Sequence, residues 1–326
     1  MPTMVRAPTR ALVSPVLDSS RWDAFEPRDG DIIIATFAKV GTTWTQRIVD
    51  LLVHQSPDVR PALSISPWLD ATFFNPIDED LATLEAQTHR RYIKSHLPFD
   101  SLPVWDSARY IHVGRDGRDA RLSWQNHMAG TRPEFVQRIA TNAMQLAREG
   151  TLSAPSGPPP GPPPEDPRDF VLQWMDMLES APPDGPGVDP HYFDFEATYW
   201  RERKRPNLLF VHYDDMIEDL AGEMRRISEF LEIDTPGSVM ARLVDAARFA
   251  TMKAQGDELA PVLKDLFDRG ADRFINQGRS GRWREVLRSE DAARYEAIAA
   301  RKVSPALAAW LANGRRGAGD PREAED

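Results

Sequence analysis

Cysteine is absent from all 326 residues. That excludes disulfides, a thiolate nucleophile and any cysteine-ligated metal, and it leaves the redox compartment open. Also missing is an apolar run approaching the ~20 residues that a membrane-spanning helix needs. The opening MPTMVRAPTRALVSPVLDSS lacks the apolar centre of a secretory signal, so a cytoplasmic protein with no membrane partner is the expectation. Net positive charge is lacking as well. Forty Lys and Arg against fifty Asp and Glu leave a formal charge of -10, which argues against a broad electrostatic surface for nucleic acid or anionic lipid. Any anion site has to be local. Nothing has the look of a paired-carboxylate metal site, so no metal is expected.

What is present is organised around Asp31 to Gln55, DIIIATFAKVGTTWTQRIVDLLVHQ. Ile32, Ile33 and Ile34 form a continuous β-branched run, the pattern of a parallel strand buried on both faces. From Thr42 the period becomes helical, with Trp44, Ile48, Leu51 and Leu52 on one face and Thr42 or Thr43 able to cap the start. Gly41 between them permits close backbone approach, the free amides of the helix start favour an anion, and Lys39 adds a charge. A P-loop-like phosphate-binding strand-turn-helix results, though not the GxxxxGK[ST] loop of ATP and GTP enzymes, because the lysine precedes the glycine. Any strand-turn-helix can contain Lys, Gly and Thr with Trp44 as a core residue. The motif alone leaves both readings open.

Three further strands are expected. Tyr92 and Ile93 lie in one that Pro98 ends, presenting Lys94, Ser95 and His96 at the carboxyl edge where open parallel sheets bind ligands. Arg109 to Val113 form another, followed by a turn through Gly114 and Gly117 that carries Arg115, with Ser123 about two helical turns on. The bland reading of RDGRD is a solvated charged face. Asn207 to Tyr213 make the last strand, before an amphipathic helix from about Asp215 to Leu231. Trp68, Phe73 and Phe74 either cap a core or line an apolar pocket. FINQGRSGRWREVL has the shape of an anion-wrapping loop, and a final helix runs from Ser304 as N-cap and Pro305 to Gly314. The fold class is therefore α/β, a single domain with a central, mainly parallel sheet flanked by helices. Its expected bounds are 21–314, with a disordered leader at 1–20, a proline-rich insert at about 154–190 and a disordered tail at 315–326.

Several pieces together resemble the cytosolic-type sulfotransferases, in the same order. TFAKVGTTW is similar to the family's TYPKSGTTW, IKSHLP to KTHLP, IHVGRDGRDARLSW to YVxRNxxDxxxS, LLFVHYDDM to LYLxYEDM, and NQGRSGRW to RKGxxGxW. These segments span residues 32 to 283. The resemblance implies a sulfuryl transfer from the co-substrate PAPS (3′-phosphoadenosine 5′-phosphosulfate) to a small-molecule alcohol or phenol, less readily an amine, without metal. It implies that Lys39 stabilises the leaving phosphate, with Lys94 as a second cation and His96 as general base. Val40, Gly41, Thr42 and Thr43 would hold the 5′-phosphate, Trp44, Tyr213 and Phe249 the adenine, and Arg115, Ser123, Gln277 and Gly278 the 3′-phosphate side. The residue types suit in-line transfer, where positioned cations offset spreading charge and a histidine takes the acceptor's proton.

The departures are specific. Val40 replaces a serine nearest the phosphates, and Asn276-Gln277 replaces an Arg-Lys pair, leaving Arg279 or Arg282 to supply the charge. The family's dimer motif KxxxTVxxxE is not evident in REVLRSEDAARYE, so a homodimer is possible but unsupported. Two alternatives stay open: a nucleotide kinase or NTPase of related fold, and a non-catalytic nucleotide-binding module.

Overall fold

The computed structural model describes residues 2–152, 163–180 and 191–326. Among them are six strands: β1 (Met4–Arg6), β2 (Ile32–Thr36), β3 (Tyr92–Ser95), β4 (Val104–Trp105), β5 (Arg109–Gly114) and β6 (Leu208–His212). Four pair in the order β3-β2-β5-β6, every pair parallel, while β1 and β4 form an antiparallel ribbon. The triple-isoleucine run has its cause in two covered faces. Ile32 and Ile34 pack with Ile48, Leu51 and Leu52 of the Thr42–His54 helix and with Met240 and Leu243. Ile33 and Ala35 pack with Phe99, Phe195, Tyr199 and Trp310 on the other side. With helices over both faces, a polar side chain on β2 needs a hydrogen-bond partner inside the protein, as Thr36 has in Thr42. The chain leaves β2 for β3 on one side and returns to β5 on the other, and such a switch point opens a crevice at the carboxyl ends of the strands.

Several local expectations change. The leader is not disordered. The amides of Thr9 and Arg10 donate to the Asp100 carbonyl at 2.8 and 3.1 Å, and Leu12 and Leu17 are buried in the core. The tail is docked too, because the Asp326 carboxylate accepts from Trp200 Nε1 at 2.8 Å and Ser304 Oγ at 2.7 Å, and pairs with Arg203 at 3.0 Å. Proline and charge argue against regular elements, but they do not prevent anchoring by single residues. The helix expected from Asp215 to Leu231 is two, Tyr213–Glu218 and Leu220–Phe230. Asp219 between them has non-helical backbone at φ -143° and ψ 69°, and its carboxylate caps the second by accepting from the Gly222 amide at 2.9 Å. Tyr213 starts the first of these helices instead of ending β6. Ser304 and Pro305 begin the last helix as expected, and Gly314 breaks it at φ 67°. Of the proline-rich insert, 153–162 and 181–190 lie outside the described residues. Between them Pro167–Ser180 is a helix that buries Phe170, Val171 and Trp174. Among the described residues no helix is long and apolar enough to cross a membrane.

Candidate active site

Beyond the carboxyl ends of β2, β3 and β5 lies a cleft of about 470 Å³, and among the described residues no Asp or Glu lines it. The turn after β2 shapes one end. Gly41 sits at φ 116°, and a Cβ there would stand 2.9 Å from Tyr213 Cδ2, so both the backbone and the packing require glycine. Lys39 is itself left-handed at φ 67°, a costly conformation for a side-chain-bearing residue. It leaves the ammonium 4.0 Å from the centre of the Phe274 ring. Thr43 lines the cleft, and Thr42 is tied through its hydroxyl to that of Thr36 at 2.6 Å. The first amides of the Thr42–His54 helix have no acceptor within the helix and remain available to an anion. Val40 has its side chain fully buried in the core with Ile32 and Ile34, which leaves its backbone to the turn.

His96 follows β3, and two neighbours fix it. Its ring Nδ1 lies 2.7 Å from the Thr36 carbonyl, an acceptor only, so Nδ1 carries the proton and Nε2 keeps its lone pair. Its backbone amide donates to Asp70 Oδ2 at 3.0 Å. Asp70 is buried, accepts from Trp22 and Trp68 as well, and burial holds its carboxyl above the usual range. Burial, with Lys94 and then Lys39 nearby, holds the imidazole well below its ordinary value. It is therefore neutral, with the Nε2 lone pair unprotonated. Lys94 lies with its ammonium 3.8 Å from the Trp68 ring centre. Desolvation lowers both lysines to about 7, and at Lys39 the charges of Lys94 and Arg115 add to it. Two depressed lysines facing a cleft without carboxylates make a site in want of an anion.

At the other end Arg115 is nearly buried, with its guanidinium 4.0 Å from the Tyr213 ring centre. It donates to the carbonyls of Lys39 and Arg279, each at 3.1 Å, which ties the β2 turn to the 276–282 loop. Its Nε is buried without a partner. Trp44 is anchored by its indole N–H to the Ala247 carbonyl at 2.7 Å and meets Tyr213 edge to face. Gly278, at φ 62°, admits the Phe249 ring so closely that a Cβ would lie 2.2 Å from it. Ser123 lines the cleft, and its hydroxyl has no hydrogen-bond partner among the described residues. Gln277 also lines it, but its amide oxygen accepts from Arg279 Nε at 2.9 Å. Arg279 is further held by Glu285 at 2.6 Å, exposed to solvent. Arg282 is different: it lines the cleft, has no carboxylate partner among the described residues, and burial together with Arg279 and Arg115 lowers its pKa. Of the two candidates for the missing charge, Arg282 is the free one.

Trp68, Phe73 and Phe74 line the cleft and pack on one another, so they belong to both of the readings left open. Phe135, Phe267 and Phe274 complete an apolar wall. Sequence reasoning missed Asp70, Asp119 and His127. Asp119 holds the 276–282 loop by accepting from the amides of Gly281 and Trp283. It lies in RDGRD, the segment whose bland reading is a solvated face. Asp70 draws one partner from Trp68, two residues away, and the others from Trp22 and the His96 amide, which no local pattern links to it. Every other proposed site residue reaches the same cleft.

A family model described as a sulfotransferase domain matches residues 29–306. A glycolipid sulfotransferase of Mycobacterium bovis is 38% identical over 311 residues, covering 92% of this chain and 93% of that protein. Sulfotransferase 1 family member D1 of Rattus norvegicus is 26% identical over 85% of this chain and 83% of its own length. Among solved structures, mouse sulfotransferase SULT7A1 complexed with PAP has a TM-score of 0.60 at 19% identity, covering 88% and 89% of the two chains. Retinol dehydratase in complex with androsterone and inactive cofactor PAP has a TM-score of 0.63 at 20% identity, covering 88% and 84%. The parallel sheet with its anion-seeking turn, the length matched and the 38% identity lead to one conclusion: this chain belongs to the sulfotransferase family.

Proposed function

We propose that this enzyme transfers the sulfuryl group of PAPS to a hydroxyl of a small amphipathic acceptor, with His96 as general base. The observation that carries the reading is His96 itself, whose Nδ1 proton is spent on Thr36 O at 2.7 Å while two cation-bearing side chains, Lys39 and Lys94, share its cleft. A neutral imidazole so oriented accepts a hydroxyl proton through Nε2 as attack proceeds. PAPS, when bound, supplies the activated sulfuryl group. Lys39 and Lys94 offset charge on the transferring and leaving oxygens, and the amides at the start of the Thr42–His54 helix hold the 5′-phosphate. Trp44, Tyr213 and Phe249 border the adenine. The buried, unpartnered Nε of Arg115, the free hydroxyl of Ser123 and the free guanidinium of Arg282 fit a 3′-phosphate, with Gly278 allowing the loop to close on Phe249. Water is kept from the reacting groups by the aromatic wall.

The acceptor class follows from that wall and from the relatives. An apolar lining with few polar groups suits an amphipathic molecule, and a relative at 38% identity is described as acting on glycolipids. The test is a screen of alkyl glycosides, alcohols, phenols and amines with sulfur-labelled PAPS, with and without chelator. Transfer to a hydroxyl acceptor in chelator is the expected result. Tight PAP binding without transfer to any acceptor would instead make the chain a nucleotide-binding module, and a strict Mg²⁺ requirement would point to a kinase.

A further inference from the structure

His127 lies on the Gly117–Gly130 helix, one turn beyond Ser123, and lines the same cleft. Its ring stacks on Trp124 at 4.8 Å and 11° and meets Phe267 edge-on at 4.7 Å. Phe274 stands 6.0 Å away. Neither ring nitrogen has a hydrogen bond among the described residues, and Nδ1 is buried. The two histidines of the core are different. His112 is bonded at both nitrogens, to Ala35 O and Glu196, and His212 likewise, to Leu311 O and the Asp214 amide. A buried polar group left unpaired is rare and calls for a partner that is absent from the protein itself.

The chemistry of that partner can be narrowed. Burial first, then the charges of Lys39, Lys94 and His96, lowers the imidazole to about 2, so it stays neutral. A neutral imidazole offers one donor and one acceptor. A hydroxyl matches both, whereas an ammonium would be repelled by the neighbouring lysines. Phe274 places His127 on the Lys39 side of the cleft, since its ring centre lies 6.0 Å from the imidazole and 4.0 Å from the Lys39 ammonium. We propose that His127 hydrogen-bonds a second hydroxyl of the acceptor, adjacent to the one that is sulfated, so that the site selects a polyhydroxylated ring over simple alkanols and phenols. The inference rests on the reading of the cleft as a sulfuryl-acceptor site.

The test uses octyl β-glucoside and its monodeoxy analogues, with equilibrium binding measured in saturating PAP so that no turnover is needed. Wild type should lose tenfold or more in affinity for at least one deoxy analogue. His127→Phe should bind the parent glycoside as weakly as wild type binds that analogue, with PAP affinity unchanged. His127→Gln, which keeps a donor and an acceptor, should recover part of the preference and serves also if the Phe variant fails to fold. Equal affinity of wild type for all analogues, no binding of the glycoside, or an equal loss for every analogue in His127→Phe would each overturn the proposal. Failure to bind PAP would sink the functional reading and this inference with it. PAP binding without hydroxyl discrimination sinks the inference alone.

Discussion

The two ends of the cleft are made in different ways. The Lys39 end is one continuous strand, turn and helix, and the groups proposed to hold the donor there are backbone amides, a lysine and two threonines close together in sequence. The Arg115 end is assembled from the turn after β5, the helix that follows it and a loop more than 150 residues later. Arg115 joins those parts by giving two N–H donors to the Lys39 and Arg279 carbonyls. A contiguous site keeps its chemistry as long as a short motif survives. An assembled site can move a charge from one position to another, and here Arg282, past Gly281, lines the cleft with no carboxylate partner among the described residues, while the loop's Asn276 and Gln277 carry no charge.

The largest effect that would sharpen this contrast is at the contiguous end. Lys39→Ala should lower kcat on the order of 100- to 1000-fold, the cost of removing one positioned electrostatic group, while thermal stability at neutral pH rises, because a desolvated lysine is removed. Near-wild-type turnover would remove Lys39 from the transfer step. At the assembled end, Arg282→Ala should weaken PAP binding about tenfold to a hundredfold, from loss of a charge-assisted hydrogen bond, and leave adenosine 5′-phosphosulfate almost unaffected. Arg279→Ala should do neither, since Glu285 already holds that side chain. Arg115→Ala should weaken both ligands, because it also releases the Lys39 turn. Equal effects of Arg279 and Arg282 in calorimetry would break the comparison.

A third expectation concerns protons. Lys39 and Lys94 sit at about 7 in the free protein, below the ordinary lysine value near 10.4. Between those values the unfolded chain holds more protons, so these groups make stability rise with pH through that window, and their penalty is full below about 7. A bound anion restores the ordinary value. PAP binding at pH 8 to 9 should then take up about one to two protons and weaken as pH rises, which calorimetry in buffers of different ionisation heat will register. No proton uptake would contradict the depressed values. The smallest functional effect belongs to Val40→Ser, which should cost roughly 1 to 3 kcal/mol of stability by burying a hydroxyl and leave PAP affinity unchanged.

How much of this was legible follows the same division. β2, its turn and helix could be read because periodicity and punctuation lie within one stretch, and β3, β5 and β6 announced themselves as short β-branched or aromatic runs. Val40 reads as part of the phosphate-binding motif, while the register of the turn sends its side chain into the core and leaves its backbone in the turn. The bonds of Asp70 to Trp22 and the His96 amide, those of Asp119 to the 281–283 amides, and the packing of His127 on Phe267 all join residues far apart in sequence, which no local pattern encodes. The leader and tail misled because proline and charge signal disorder only when no surface offers a match, and Asp100, Trp200 and Arg203 offer one.

The central claim is that His96 acts in transfer and not in donor binding. The most direct measurement is kcat and PAP dissociation constant determined side by side for wild type and His96→Ala. The account predicts that kcat falls by roughly 100- to 10,000-fold, the usual contribution of a general base, with PAP affinity intact. A variant that keeps its kcat, or that loses turnover and PAP affinity in the same proportion, would contradict it.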